Sequence, residues 1–246
     1  MTTSRKAKAE AAPDDAAKPA RKTRVVRDPA KTRARILRIA IAEFSSKGFS
    51  GARTEQIARR AKTNIRMIYH YFGSKEALYV VVLEDVLAQL RHEELQLDFD
   101  ALAPLEGVLQ MFEFIDGHFG ARPELRNLLA FENLNGAQHL KRSTTIREMA
   151  SPVIALIDRL LQRGAAAGVF RAGIDALHLY VAMVSLAYYG RSHAPTLSRI
   201  FATDLLAPEW QAAHHAQTRR MLVGFLAELP AAAPRASTRS LAKATP

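Results

Sequence analysis

From about residue 30 to residue 229, apolar side chains return every three or four positions, and no stretch alternates apolar with polar residues between turn-forming pairs. A chain patterned this way buries its apolar stripes by packing helices on helices, so the expected fold class is all-α. A hydrophobic share of 48% with a charged share of 24% is enough for a folded core.

Local signals divide the pattern into elements. A first helix is expected over residues 30–47, with Ile36, Leu37, Ala40, Ile41 and Phe44 on one stripe and Lys31, Arg35 and Arg38 largely off it. Gly48 can take the left-handed backbone that ends this helix, and Phe49 can fold back against it. Thr54 reads as the N-cap of a short second helix that sends Ile57, Ala58 and Ala61 inward. Asn64 reads as the cap of a third, over residues 65–72, with Ile68 and Phe72 turned to the core. Ser74 does the same for a long helix over residues 75–95. Further helices are expected near 104–120, 123–149 with a break at Gly136, 151–168, 174–190 and 207–228. Pro123, Pro152, Pro195 and Pro208 fall near helix starts, where the missing N–H costs nothing.

Two short helices joined by a tight turn make a helix-turn-helix unit, and the charge distribution says what such a unit meets. Residues 1–75 hold 19 Lys and Arg against 6 Asp and Glu, whereas residues 76–246 hold 16 against 18. Basicity confined to one end is the footprint of an element that neutralises phosphates. An anionic membrane surface would attract it too, but that reading calls for Trp, Phe or Leu among the basic residues, and residues 1–30 contain none. That segment, with Pro13, Pro19, Pro29 and 8 Lys or Arg against 4 acids, reads as a disordered basic arm, either a DNA-contacting extension or a solvated tail. Residues 230–246 read as a disordered tail.

Once Ile68 and Phe72 are buried, the third helix leaves Ile65, Arg66, Met67, Tyr69 and His70 on its outer side, and its N-terminal turn is the end suited to enter a major groove. Arg66 suits bidentate contact with guanine O6 and N7, while Ile65 and Met67 suit thymine methyls. Arg53 and Thr54, at the start of the second helix, can meet a backbone phosphate, and Asn64, at the start of the third, is counted with the DNA-contacting residues.

The stretches RARILRIAIAEFSSKGF, TEQIARRA and NIRMIYHYFGSKEAL, within residues 33–78, resemble the DNA-binding domain of the TetR family. Phe44, Gly48, Phe49, Thr54, Ile57, Ala58, Ala61, Ile68, Tyr69, Phe72, Lys75, Glu76 and Leu78 fall on the family's pattern. The resemblance implies a DNA-binding domain over residues 31–78 and a helical regulatory and dimerisation domain over 79–229. It implies a cytoplasmic homodimer on double-stranded, palindromic operator DNA, most often a repressor released by a small-molecule effector. By the same resemblance Tyr69, His70 and Lys75 anchor to phosphates, positioning the helix without reading sequence. One departure stands out: where the family usually has Gly, a small apolar residue and Ser in the turn, this chain has Lys62, Thr63 and Asn64. A left-handed Lys there costs roughly 1–2 kcal/mol relative to Gly.

FENLNGAQHL and GVFRAGIDALHLYVAMVSLAYYG are similar to a subgroup that includes pyrimidine-responsive repressors. Phe112, Phe119, Arg126, Phe131, Asn133, Tyr180, Met183 and Tyr188 are the candidate lining of an apolar effector pocket, although an aromatic at helical spacing is more commonly plain core. Leu177, Val181, Leu222 and Phe225 are, by family analogy, the dimer face.

Enzymatic readings find little. The chain has no cysteine, no glycine-rich phosphate loop, no HExxH and no GxSxG, and its 8 histidines show no metal-ligand spacing. No metal or cofactor is expected. The chain has no apolar run of the roughly 20 residues a membrane span needs, and no secretory-type apolar stretch at its start.

Overall fold

A computed structural model describes residue 2 and residues 28–97, 99 and 101–227. The expected basic arm, apart from residue 2 and its last three residues, and the expected tail over 230–246 lie outside the described residues. The chain folds as helices only among the described residues, in the order α1 (Pro29–Gly51), α2 (Thr54–Arg60), α3 (Ile65–Phe72), α4 (Lys75–Leu95), α5 (Pro104–Ala121), α6 (Pro123–Leu134), α7 (Thr145–Ala166), α8 (Ala176–Ser192), α9 (Ala194–Ile200) and α10 (Pro208–Leu226). A single 3-10 turn, Leu140–Arg142, sits between α6 and α7.

The first three helices form a small head. Asp28 caps α1, its carboxylate accepting from the N–H of Ala30 at 3.0 Å, and Pro29 takes the first turn. Ile36, Ala40 and Phe44 are fully buried along one stripe of α1. The helix is broken at Gly48, whose φ of 66° and ψ of −179° belong to a region open essentially only to glycine. A Cβ at Gly48 would also lie 2.8 Å from the Phe131 ring on α6, so this glycine both turns the chain and lets α6 approach.

Long α4 leads out of the head and buries Leu78, Tyr79, Val82, Leu83, Val86 and Leu90. The body closes around it: α7 packs on α4, α5 on α7 and α8, and α10 on α5, while α6 packs on α1. A buried polar strut lies where head and body meet. Glu132 of α6 accepts from the N–H of His139 at 3.2 Å and pairs with His139 Nδ1 at 2.8 Å. The His139 ring packs 4.4 Å from Phe49 and 4.8 Å from Tyr79, ring centre to ring centre.

Two expectations are corrected. The break near Gly136 is longer than a kink: α6 ends at Leu134, Gly136 and Ala137 both take positive φ, at 62° and 56°, and residues 145–149 belong to α7 instead. Pro152 is inside α7 rather than at a helix start, which deprives the Glu148 carbonyl of its i+4 donor. Buried Val153, Ile157, Leu160 and Leu161 beyond it hold the helix together by packing. Pro195 does lie in a first turn, that of α9, a helix the apolar period did not single out.

Candidate nucleic-acid interface

The geometry of α3 is set from three sides. At its start Asn64 has extended backbone and its Oδ1 accepts from the Arg66 N–H at 2.9 Å, the expected cap. Beneath it, Ile68 is fully buried and Phe72 nearly so. After it, Gly73 takes φ 80° and Ser74 caps α4 by accepting from the Ala77 N–H at 3.0 Å. The turn before α3 contains Lys62 at φ 48°, the left-handed residue that its place in the turn predicts.

Polar ties fix this unit to α1. Arg35 Nε donates to the Ala61 carbonyl at 2.8 Å, and the Arg33 guanidinium stacks 4.9 Å from the centre of the Phe72 ring. Glu43, almost wholly buried, accepts from Lys47 Nζ at 2.6 Å and pairs with Arg60 Nη1 at 3.4 Å. Burial alone would raise the Glu43 pKa; the hydrogen bond and charge of Lys47, aided by Arg60, outweigh it and hold the carboxyl below its ordinary value. The paired carboxylate thereby joins α1 to α2.

On the outer side of the unit, Arg53, Asn64, Arg66, Tyr69 and His70 are exposed, and Tyr69 keeps 44% of its surface in solvent. Among the described residues the Arg66 guanidinium has no hydrogen-bond or ion-pair partner, so it is free to meet a ligand. Met67 is half-buried at the edge of this face. Ile65 is drawn inward, packed half-buried against the core, which reduces the methyl surface it can offer. Lys75 is also half-buried, with Nζ 4.8 Å over the Phe49 ring.

Thr54 is a correction. It is the first helical residue and not the cap; Arg53 holds that position with no side-chain cap bond. Thr54 is only 5% exposed, and its hydroxyl shares a hydrogen bond of 3.3 Å with Tyr69 Oη. It therefore links α2 to α3 and orients Tyr69, a contact between residues fifteen apart that no capping pattern reveals.

The candidate effector residues do not form one lining. Phe112 stacks on His215 at 5.5 Å and Phe119 meets Tyr188 at 5.4 Å, all between α5, α8 and α10. Met183 is fully buried, and Tyr180 donates to Glu94 Oε1 at 3.1 Å in the interior. Burial pushes the Tyr180 phenol up, with the Glu94 charge adding to the effect, and burial also raises Glu94 against the opposing Arg91. Arg126 donates to the carbonyls of Phe119 and Gly120, closing the end of α5. Phe131 is turned against Gly48, and Asn133 is exposed, so neither belongs to an enclosed pocket with the others. On the expected dimer face Leu177, Val181 and Phe225 are exposed, but Leu222 is buried within the protomer; Met221, 54% exposed, stands at the surface instead.

Comparison with known proteins agrees with this geometry. A model of bacterial regulatory proteins of the tetR family matches residues 36–82, and a tetracyclin repressor-like C-terminal domain matches residues 104–222. The chain is 38% identical over 175 residues to the HTH-type transcriptional repressor NicS of Pseudomonas putida, covering 71% of this chain and 82% of that protein. It is 30% identical over 178 residues to the HTH-type transcriptional regulator RutR of Escherichia coli, covering 69% and 78%. The crystal structure of the transcriptional regulator SCO4942 from Streptomyces coelicolor superposes with a TM-score of 0.60 at 25% identity, over 77% of this chain and 97% of that one. The chain belongs to the tetR family, and it is a helix-turn-helix, DNA-binding regulator of transcription rather than an enzyme.

Proposed function

We propose that the protein is a cytoplasmic, homodimeric repressor that holds a palindromic operator until a small-molecule effector releases it. Residues 31–78 are the reading unit and 79–229 the regulatory and dimerising part. The observation that carries this reading is the outer side of α3, where Arg66, Tyr69 and His70 stand exposed over a buried Ile68 and Phe72.

In this reading the first turn of α3 enters the major groove, Arg66 reads a guanine, and Met67 with the exposed edge of Ile65 meets thymine methyls. Arg53, Tyr69, His70 and Lys75 hold the phosphates, with Lys75 leaving the Phe49 ring to do so. Asn64 keeps the turn in shape, and Thr54 aims Tyr69. Two heads are joined through the exposed apolar residues of α8 and α10, Leu177, Val181, Met221 and Phe225. The names of the two relatives, one a repressor, support the direction of control. The test is selection of bound fragments from genomic DNA of the source organism by the purified full-length chain. Enriched fragments are expected to share an inverted repeat with half-sites roughly 34–36 Å apart or slightly more. Recovery of fragments with no common repeat contradicts the reading.

A further inference from the structure

Where the head meets the body, a cavity of about 330 Å3 opens between helices that are far apart in sequence. Its apolar walls are Ile41 and Ala42 of α1, Val86 of α4 and Leu125 of α6. Its polar rim is formed by Arg38 of α1, Gln89 of α4, His118 of α5, Arg122 between α5 and α6, and Glu124 of α6. None of the residues singled out as effector candidates lines it.

The polar groups of this rim are not equivalent. Arg122 is spent: Nη1 donates to Gln89 Oε1 at 2.8 Å and Nη2 to Glu93 Oε1 at 2.8 Å. His118 Nδ1 faces Glu93 Oε2 at 3.2 Å, and burial, outweighing the nearby carboxylate, lowers its pKa. The neutral ring therefore donates to Glu93 through Nδ1 and keeps Nε2 as an acceptor. Glu124 also lines the cavity, but it lies in the first turn of α6, where the helix N-terminus compensates a negative charge. Arg38 is what remains. It is solvent-exposed at the mouth of the cavity, and among the described residues its guanidinium has no hydrogen-bond or ion-pair partner.

We propose that this junction is a binding site for a small organic carboxylate with an apolar ring, its carboxylate on Arg38 and its ring against Ile41, Ala42, Val86 and Leu125. A free, planar guanidinium matches a carboxylate in bidentate geometry, and a cavity of this size takes one or two rings. The walls belong both to α1, which carries the head, and to the body, so an occupant that fits one spacing of the two better than another biases the head. That consequence rests on the effector-release reading; the site itself does not.

The test uses the full chain with benzoate and 2-naphthoate as probes, benzamide as the uncharged control, and saturation-transfer NMR with calorimetry as readouts. Saturable binding of either carboxylate in the millimolar range or tighter is expected, with benzamide at least about tenfold weaker. Arg38→Gln is expected to weaken carboxylate binding at least about tenfold, and Ala42→Phe, which fills the chamber, to abolish it. Thermal unfolding of each variant shows that it is folded, and either variant alone suffices. No saturable binding up to about 10 mM, or equal binding to the unaltered chain and a folded variant, overturns the site. Binding without any change in operator affinity supports the site and instead contradicts release by an occupant. Failure to bind any duplex contradicts the regulator reading alone, since the cavity is titrated without DNA.

Discussion

The head and the body are both made of amphipathic helices, yet they are held in place by different kinds of contact. In the head, Asn64 caps Arg66 and Ser74 caps Ala77, within three residues, and Arg35 reaches the Ala61 carbonyl from the neighbouring helix. The body is tied by Ser143 to Glu84 at 2.6 Å and by Tyr180 to Glu94 at 3.1 Å, across 59 and 86 residues. Helices as short as α2 and α3 are marginal alone; α3 depends on its Asn64 cap and buried Ile68 and Phe72, and α2, without a side-chain cap, on buried Thr54, Ile57 and Ala58. The long helices of the body tolerate even Pro152, because packing compensates for the lost hydrogen bond. Function on the head is thus an exposed face over a local framework, whereas a site in the body or at the junction exists only after distant segments meet.

Substitution at the hinge between the two should have the largest effect. Gly48→Ala forces a side chain into a glycine-only backbone region and onto Phe131, so a loss of at least about 1–3 kcal/mol is expected. In a chain of this size that lowers Tm by roughly 2–4 °C per kcal/mol, measurable by calorimetry. An unchanged Tm would mean that head and body are not in contact there.

Next in size is Arg66→Ala, which removes a side chain without a partner in the free protein. Stability should stay within about 0.5 kcal/mol. Discrimination at one base position per half-site should fall by about 1–3 kcal/mol in competition binding. Equal losses on every duplex would assign Arg66 to the phosphates.

Lys62→Gly relieves a left-handed lysine in the turn, and a gain of about 0.5–1 kcal/mol in denaturant unfolding is expected after the extra unfolded-state entropy of glycine is deducted. A loss would show that this turn is not under backbone strain. The smallest effect is in the body. Because burial lowers the His118 pKa from 6.5, the unfolded chain takes up the proton more readily, so the stability from this group is present above pH 6.5 and is lost as the pH falls through that value. His118→Gln should flatten the acid-side decline, followed by Tm between about pH 7.5 and 5.5. An unaltered slope would remove His118 from the account.

The contrast also explains what could be read before folding. The all-α class, the helix boundaries around Gly48 and Asn64, and left-handed Lys62 were legible because each depends on neighbours a few residues away. The cap that the local pattern assigns to Thr54 does not form, because its hydroxyl is shared with Tyr69 on the next helix. Leu222 and Asn133 exchanged their expected places, one buried and one exposed, since apolar periodicity sets a helix face and not what that face meets. The helix through Pro152 was hidden by a local signal that tertiary packing overrides. The junction cavity left no trace in any single segment, because Arg38 and Ile41 meet Leu125 only through the packing of α1 on α6.

The central claim, that the outer side of α3 reads duplex sequence, is tested most directly by comparing the affinity of the full chain for its selected inverted repeat with that for a scrambled duplex of equal length and composition, over a series of salt concentrations. A preference of at least about a thousandfold is predicted, with both affinities falling steeply as salt rises. Equal affinity for the two duplexes at every salt concentration would contradict it.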